Sequence, residues 1–302
     1  MSIPDSLNTM IFDAVKHVRA KNSSTDPNAL AKHRKDVEFL SRLATPLAGI
    51  TTKALTLGGR LCEYTSPNLG HRHDCIILYC HGGGFISGDL KYAGILAAKL
   101  ALHTGLGVIT YAYSLAPEHP YPAQLNQTED VYNALLHQGW GSKQIILAGD
   151  SAGGNLVLEL CIRLKRQKRF QPKALLLFSP WTDMRCVSET IKDLKDQDPI
   201  LSPETLYIAR VAYAGQDADF HSPEFSPILA DLSDMPPMLI QVGTKEILLD
   251  DSRLLETAVK KAGGFATLQV FDDAWHVFQQ LPTPTASRAL NAVSEWLSAK
   301  IL

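Results

Sequence analysis

Gly149-Asp150-Ser151-Ala152-Gly153 stands directly after the apolar run Gln144–Ala148 and directly before a helical pattern, Asn155–Arg166. That order predicts a strand, a sharp turn and a helix with a serine at the bend, the context in which G-x-S-x-G carries a nucleophile. The glycines have a steric reason. A serine on a strained strand-to-helix turn brings its neighbours two positions away against adjacent backbone, so Gly149 and Gly153 must lack side chains. The helix begins at the serine, which turns its first free N–H groups toward an anion formed there. Taken alone, the pentapeptide would recur by chance in roughly one unrelated chain in ten of this length, so its surroundings decide.

His81-Gly82-Gly83-Gly84-Phe85 follows a second strand-like run, Cys75–Tyr79. Successive glycines let backbone N–H groups approach a ligand closely, and a loop of this HGGG type supplies the other half of an oxyanion hole, each donor contributing about 2.7–4 kcal/mol. Farther on, Pro237–Gly243 reads as a buried strand followed by Thr244-Lys245-Glu246-Ile247-Leu248-Leu249-Asp250-Asp251. An acid on that loop can orient a histidine. The last short strand, Leu268–Phe271, leads into Asp272-Asp273-Ala274-Trp275-His276-Val277-Phe278. Serine, acid and histidine thus follow one another in the chain order of α/β hydrolases, and not in that of trypsin-like or subtilisin-like proteases.

His81–Phe85, Gly149–Leu156, Leu115–Pro122, Ser179-Pro180-Trp181-Thr182-Asp183 and Pro236–Ser252 together resemble the hormone-sensitive-lipase-like esterases, the bacterial group called family IV. The resemblance covers roughly residues 75 to 300. It implies Ser151 as nucleophile, His276 as general base and acid, Glu246 as orienting acid, and the N–H groups of Gly83, Gly84 and Ala152 as oxyanion hole. It also implies a helical cap over the serine, built from the N-terminus and a later insertion. Two departures stand out. Many members carry Asp where Glu246 stands, and Asp250 lies four residues downstream as a rival. Glu does the same work, and Asp250 and Asp251 read as helix-start acids favoured by the dipole. At Tyr111-Ala112-Tyr113-Ser114 the family often has Asp-Tyr-Arg, so an ion pair common in relatives is missing here.

Other polar residues read as structural. His81 begins the glycine loop and is expected to hold its backbone, His119 sits between Glu118 and Pro120, and Asp150 reads as a loop anchor. The chain has 302 residues, 45% hydrophobic and 20% charged, with a net charge of −2, so there is material for a large core and no basic field to attract nucleic acid or anionic lipid. Cys62, Cys75, Cys80, Cys161 and Cys186 form no C-x-x-C pair and fit buried thiols in a reducing cytoplasm. No zinc spacing or phosphate loop is present, so no metal or cofactor is expected. Met1–Ala20 lacks the apolar core of a secretory signal, and no run is long enough to span a membrane. Cytoplasmic location is the resulting expectation.

Organisation follows from alternation. Helical patterns at Ile11–Lys21 and Pro27–Leu43 precede strands at Thr52–Leu57, Gly59–Tyr64, Cys75–Tyr79, Gly107–Tyr111, Gln144–Ala148, Lys173–Phe178, Met238–Val242 and Leu268–Phe271. Helices are expected at Lys91–Leu102, Ala123–Gln138, Gly154–Arg166, Ser252–Lys261 and Thr285–Ala299. This predicts one α/β-hydrolase domain over residues 1–302, with a mostly parallel eight-stranded sheet, helices on both faces, and the site at the carboxyl ends of the strands. The long stretch between Phe178 and Met238 breaks the alternation. With the N-terminal helices it reads as the cap, about 1–45 and 184–220. Phe85, Tyr92, Trp181, Tyr207, Tyr213 and Phe278 are candidates to line acyl and alcohol pockets, with Phe85 and Trp181 nearest the site. The edge strand at Leu268–Phe271 offers a surface for homodimer pairing.

The expected activity is hydrolysis of a small-molecule ester. Amide hydrolysis or deacetylation uses the same three residues. A non-catalytic receptor on the same fold is the other class, and retention of serine, acid and His276 argues against it. Long-chain lipase activity needs a broad apolar surface that this composition does not announce.

Overall fold

The computed structural model describes Leu30, Ala31, Arg34, Lys35, Val37 and residues 47–302. The helix expected at Ile11–Lys21 lies outside those residues, and so does most of the N-terminal cap segment; the described residues between Pro27 and Leu43 are helical.

Eight strands form one sheet: β1 (Ile50–Leu57), β2 (Arg60–Pro67), β3 (Arg72–Cys80), β4 (Leu106–Tyr111), β5 (Ile145–Asp150), β6 (Ala174–Phe178), β7 (Met238–Gly243) and β8 (Ala266–Phe271). Their order is β1-β2-β4-β3-β5-β6-β7-β8. The first hairpin pairs antiparallel and joins β4 antiparallel, and every later pairing is parallel. The strands β4 to β7 are buried along their whole length, which is why they read as unbroken apolar runs rather than alternating ones.

Alternation survives in where side chains go. Ile76, Leu78 and Cys80 of β3 join one core layer, while Cys75, Ile77 and Tyr79 join the other, as the two-residue period of a strand requires. Helices α2 (Ala123–His137), α3 (Ala152–Arg166) and α6 (Leu249–Lys261) cover the first layer, and α1 (Leu90–Thr104) and α7 (Pro284–Lys300) cover the second. The helix ends are chemically set: Asp89 caps α1 by accepting from the Tyr92 N–H, and Thr283 caps α7 just before Pro284.

Between β6 and β7 the chain leaves the sheet and builds α4 (Glu189–Asp193) and α5 (Pro203–Ala214). Ser202 and Thr205 form a capping box at the start of α5, with Pro203 in its first turn. Leu206, Ala209 and Tyr213 are its buried face, and Ala209 lies against Gly84 of the glycine loop. Arg210 ties the segment together, its guanidinium 4.7 Å from the Phe220 ring centroid and donating to the Met184 carbonyl at 2.8 Å. Strand β8 is the sheet's last strand, as its sequence suggested.

Candidate active site

Strand β5 ends at Asp150 and α3 starts at Ala152, leaving Ser151 on the turn with φ 51° and ψ −121°. A non-glycine residue at positive φ is strained and is held there by its surroundings. The surroundings are visible. Ser151 donates its N–H to the Phe178 carbonyl at the end of β6, and its own carbonyl accepts from the Trp181 N–H at 3.0 Å. A Cβ on Gly153 would run into the Cys80 carbonyl at the end of β3, so the elbow closes only with glycine there.

His276 reaches the serine from the loop after β8. Its Nε2 stands 2.9 Å from Ser151 Oγ and its Nδ1 2.9 Å from Glu246 Oε2. Glu246, on the loop after β7, is fully buried, and its other oxygen accepts from the Gly243 N–H at 2.6 Å and the Ser179 hydroxyl at 2.8 Å. Ser179 Oγ in turn accepts from the Val277 N–H, next to the histidine. Burial pushes the His276 pKa down, yet the hydrogen bond and charge of Glu246, with added field from Asp198 and Asp150, leave it above the usual histidine value. An imidazole so placed can accept the serine proton and hold it as an imidazolium.

The expected oxyanion donors come from the loop after β3, Gly83 and Gly84, and from Ala152 at the first position of α3. Gly83 has φ +100° and Gly84 φ +63°, a path open to glycine, and the Gly83 carbonyl accepts from Ile86 N–H, Ser87 N–H and the Ser87 hydroxyl. The N–H groups of Gly83, Gly84 and Ala152 donate to no acceptor among the described residues, which leaves them available to an oxyanion. Asp150 is the loop anchor that its position suggested: buried, it accepts from the Gly82 N–H at 2.7 Å and from the hydroxyls of Tyr79 and Tyr92 at 2.6 and 2.8 Å. His81 holds the Gly82 carbonyl at 2.7 Å and stacks on Tyr113, and burial lowers its pKa to about 4.

The two acids of the Leu-x-Asp-Asp segment do not reach the histidine relay. Both lie in the first turn of α6, but the helix dipole is only part of their role. Asp251 is buried and takes the backbone N–H groups of Thr182 and Asp183 at 2.8 and 3.0 Å, while Asp250 accepts from Thr190 N–H and pairs with Arg253. The departure at Tyr111–Ser114 is filled by neutral groups: the Tyr111 hydroxyl meets Thr128 at 2.6 Å, and Gln127 holds Ser114.

Phe85 and Trp181 are both buried, their ring centroids 6.3 Å apart; the Trp181 backbone N–H donates to the Ser151 carbonyl, and Phe85 stacks on Tyr213 at 3.7 Å. Of the other aromatic candidates, Tyr92 serves Asp150, Phe278 packs with Phe271 in a separate cluster, and Tyr207 is half exposed. Ser179 was missed as a support. Its sole sequence signal was its place in Ser179-Pro180-Trp181-Thr182-Asp183 at the end of a strand.

A serine on a strand-to-helix elbow, relayed through histidine to a later carboxylate above a mostly parallel sheet, defines an α/β hydrolase. The sequence profile of the alpha/beta hydrolase fold family matches residues 77–280. An esterase of Acinetobacter venetianus is 39% identical, the match covering 90% of this chain and 89% of that protein, and an acetyl-hydrolase of Streptomyces hygroscopicus is 30% identical over 92% and 91%. A crystal structure of an esterase from the bacterial hormone-sensitive lipase family superposes with a TM-score of 0.89 at 33% identity, covering 96% of this chain and 98% of that one. The chain belongs to the hormone-sensitive-lipase-like esterases and is a carboxylic ester hydrolase. Among the described residues, no helix is long and apolar enough to cross a membrane.

Proposed function

We propose that this enzyme is a serine carboxylesterase acting on short- to medium-chain acyl esters through an acyl-enzyme. The observation that carries the reading is the relay from Ser151 Oγ through His276 to Glu246, both contacts at 2.9 Å. Ser151 attacks the ester carbonyl while His276 Nε2 takes its proton, and Glu246 stabilises the imidazolium. The tetrahedral oxyanion sits on the N–H groups of Gly83, Gly84 and Ala152. His276 then gives the proton to the leaving alcohol, and water repeats the cycle to release the acid. Acyl groups of C2 to about C8 match a capped pocket of ordinary volume, and similarity to a protein named an acetyl-hydrolase points the same way. Phe85 and Trp181, beside the elbow, form the apolar wall of that pocket.

The test compares p-nitrophenyl butyrate with p-nitrophenyl palmitate, using wild-type protein and Ser151→Ala. Butyrate is expected to be the faster substrate and its turnover to vanish in the variant. Faster palmitate hydrolysis sinks the chain-length reading, and turnover retained by folded Ser151→Ala sinks the nucleophile assignment.

A further inference from the structure

The peptide that follows Glu246 is gripped from outside the sheet. The N–H of that peptide, on Ile247, donates to Asp198 Oδ2 at 2.9 Å, and the Ile247 carbonyl, in the next peptide, accepts from the Thr190 hydroxyl at 2.9 Å. Both partners belong to the insertion between β6 and β7, Thr190 on α4 and Asp198 on the turn before α5. Asp198 is fully buried, and its other oxygen accepts from the N–H groups of Ile200 and Leu201 at 2.8 and 2.9 Å. An acceptor of three backbone N–H groups is best satisfied as a carboxylate. Glu246 and His276 both lie within its field.

We propose that Asp198 is a positioning residue of the ester hydrolysis, through which the insertion sets where Glu246 stands and how strongly His276 is held as an imidazolium. The proposal rests on the Ser151–His276–Glu246 reading. Physically it follows from how the acid is fixed. Glu246 Oε1 is held by Gly243 N–H and Ser179, near the end of β7, but the backbone on its other side has its N–H and carbonyl committed to Asp198 and Thr190. Removing that grip frees the Glu246 loop on one side. A carboxylate displaced by about 1 Å in a site of this kind costs on the order of 10²-fold in rate. The insertion is then part of the catalytic frame as well as the cover over it.

The charge gives a signature that loss of packing does not. The carboxylates bearing on His276 are Glu246, Asp198 and Asp150. Each favours the imidazolium, and the reaction needs the neutral ring, so deleting one negative charge moves the acid limb of kcat/KM to lower pH.

The experiment measures kcat, KM and the pH profile on p-nitrophenyl butyrate for wild type, Asp198→Asn, Asp198→Ala and Thr190→Val. The rate of Ser151 labelling by a fluorophosphonate and the melting temperature are followed in parallel. Asp198→Ala is expected to lose about 10²-fold in kcat with KM within about 3-fold. Asp198→Asn keeps one acceptor oxygen, which can serve the Ile247 N–H, loses the charge, and is expected to recover part of that rate with its acid limb at lower pH. Thr190→Val, which releases the Ile247 carbonyl and the Asp250 N–H but removes no charge, is expected to fall about 10-fold in kcat at an unmoved acid limb. Should Asp198→Ala fail to fold, the asparagine and valine variants decide alone. Unchanged kcat, labelling rate and acid limb in Asp198→Asn and Thr190→Val overturn the proposal while leaving the esterase reading intact. A wild type that hydrolyses the ester but takes no label at Ser151 overturns the nucleophile assignment, and this proposal with it.

Discussion

The elbow and the insertion above it are built by different means. Around Ser151 the geometry is set by backbone meeting backbone: Gly149 packs against the carbonyl of Gly153, and Gly153 against that of Cys80. Around α5 it is set by side chains from distant parts of the chain, with Tyr213 stacked on Phe85, Tyr121 and Phe225 set edge-on to Tyr213, and Arg210 over Phe220. Backbone contacts at the elbow leave a single residue type acceptable, whereas aromatic packing accepts several. On the proposed reading, the chemistry depends on the first region and ester selectivity on the second.

The sharpest way to break that contrast is Gly153→Ala. The added methyl meets the Cys80 carbonyl of β3, and neither that strand nor α3 yields without moving the serine. A loss of more than about 3 kcal/mol in stability and of at least about 10²-fold in turnover is expected, measured by thermal unfolding and p-nitrophenyl butyrate hydrolysis. Normal folding and rate would show that the elbow is no more rigid than the insertion.

Within the acid loop, Glu246→Gln is expected to lower kcat by on the order of 10⁴-fold, because the amide cannot stabilise the imidazolium and invites the wrong tautomer of His276. Asp250→Asn, whose side chain meets Thr190 and Arg253 and not the histidine, is expected to stay within about 3-fold. Reversal of that ranking in steady-state kinetics would move the acid to the start of α6.

How much of this was legible follows the same division. All eight strands were readable, because buried runs such as Leu106–Tyr111 and Met238–Gly243 sit between glycine and proline punctuation. Ser151 and His276 are proposed from motif and chain order, whereas Glu246 is chosen over Asp250 through the resemblance, because chain order alone does not separate the acids of that loop. Asp251 was read too simply as a helix-start acid, since its bonds to Thr182 and Asp183 join segments 68 and 69 residues apart. Asp198 and Thr190 carried no local sign at all. Their partner is the backbone of Ile247, and a backbone N–H or carbonyl looks the same at every position of a sequence.

On the insertion side, Tyr213→Leu removes a ring stacked on Phe85 without touching the elbow. Butyrate turnover within about 3-fold of wild type is expected, together with a roughly 10-fold change in the ratio of octanoate to butyrate kcat/KM. A kcat loss on every ester alike would mean that this ring supports the oxyanion loop rather than the acyl pocket.

The smallest effect tests the one element common to both regions. Helix α3 starts at the elbow and two turns later carries Glu159, 4% exposed, with Oε1 unpartnered among the described residues. Arg163, four residues on and the natural partner, is committed to Asn126 and Glu129 instead. Burial therefore raises the Glu159 pKa well above its usual value, with the charges of Arg166 and Arg163 opposing and Glu224 adding to the rise. Its field reaches Tyr213 and Tyr121. A carboxyl that holds its proton more tightly when folded stabilises the protein most below its unfolded pKa, about 4.3. That contribution is lost as pH rises toward the folded value, because ionisation must then occur in the interior or be prevented at a cost. Glu159→Gln keeps the shape and removes the titration. The melting temperature of the variant is expected to exceed wild type by about 2–4 °C at pH 8 and to match it at pH 4. An equal gain at both values would assign the effect to packing, and no gain at pH 8 would mean that the ionised carboxylate is accommodated beneath the insertion.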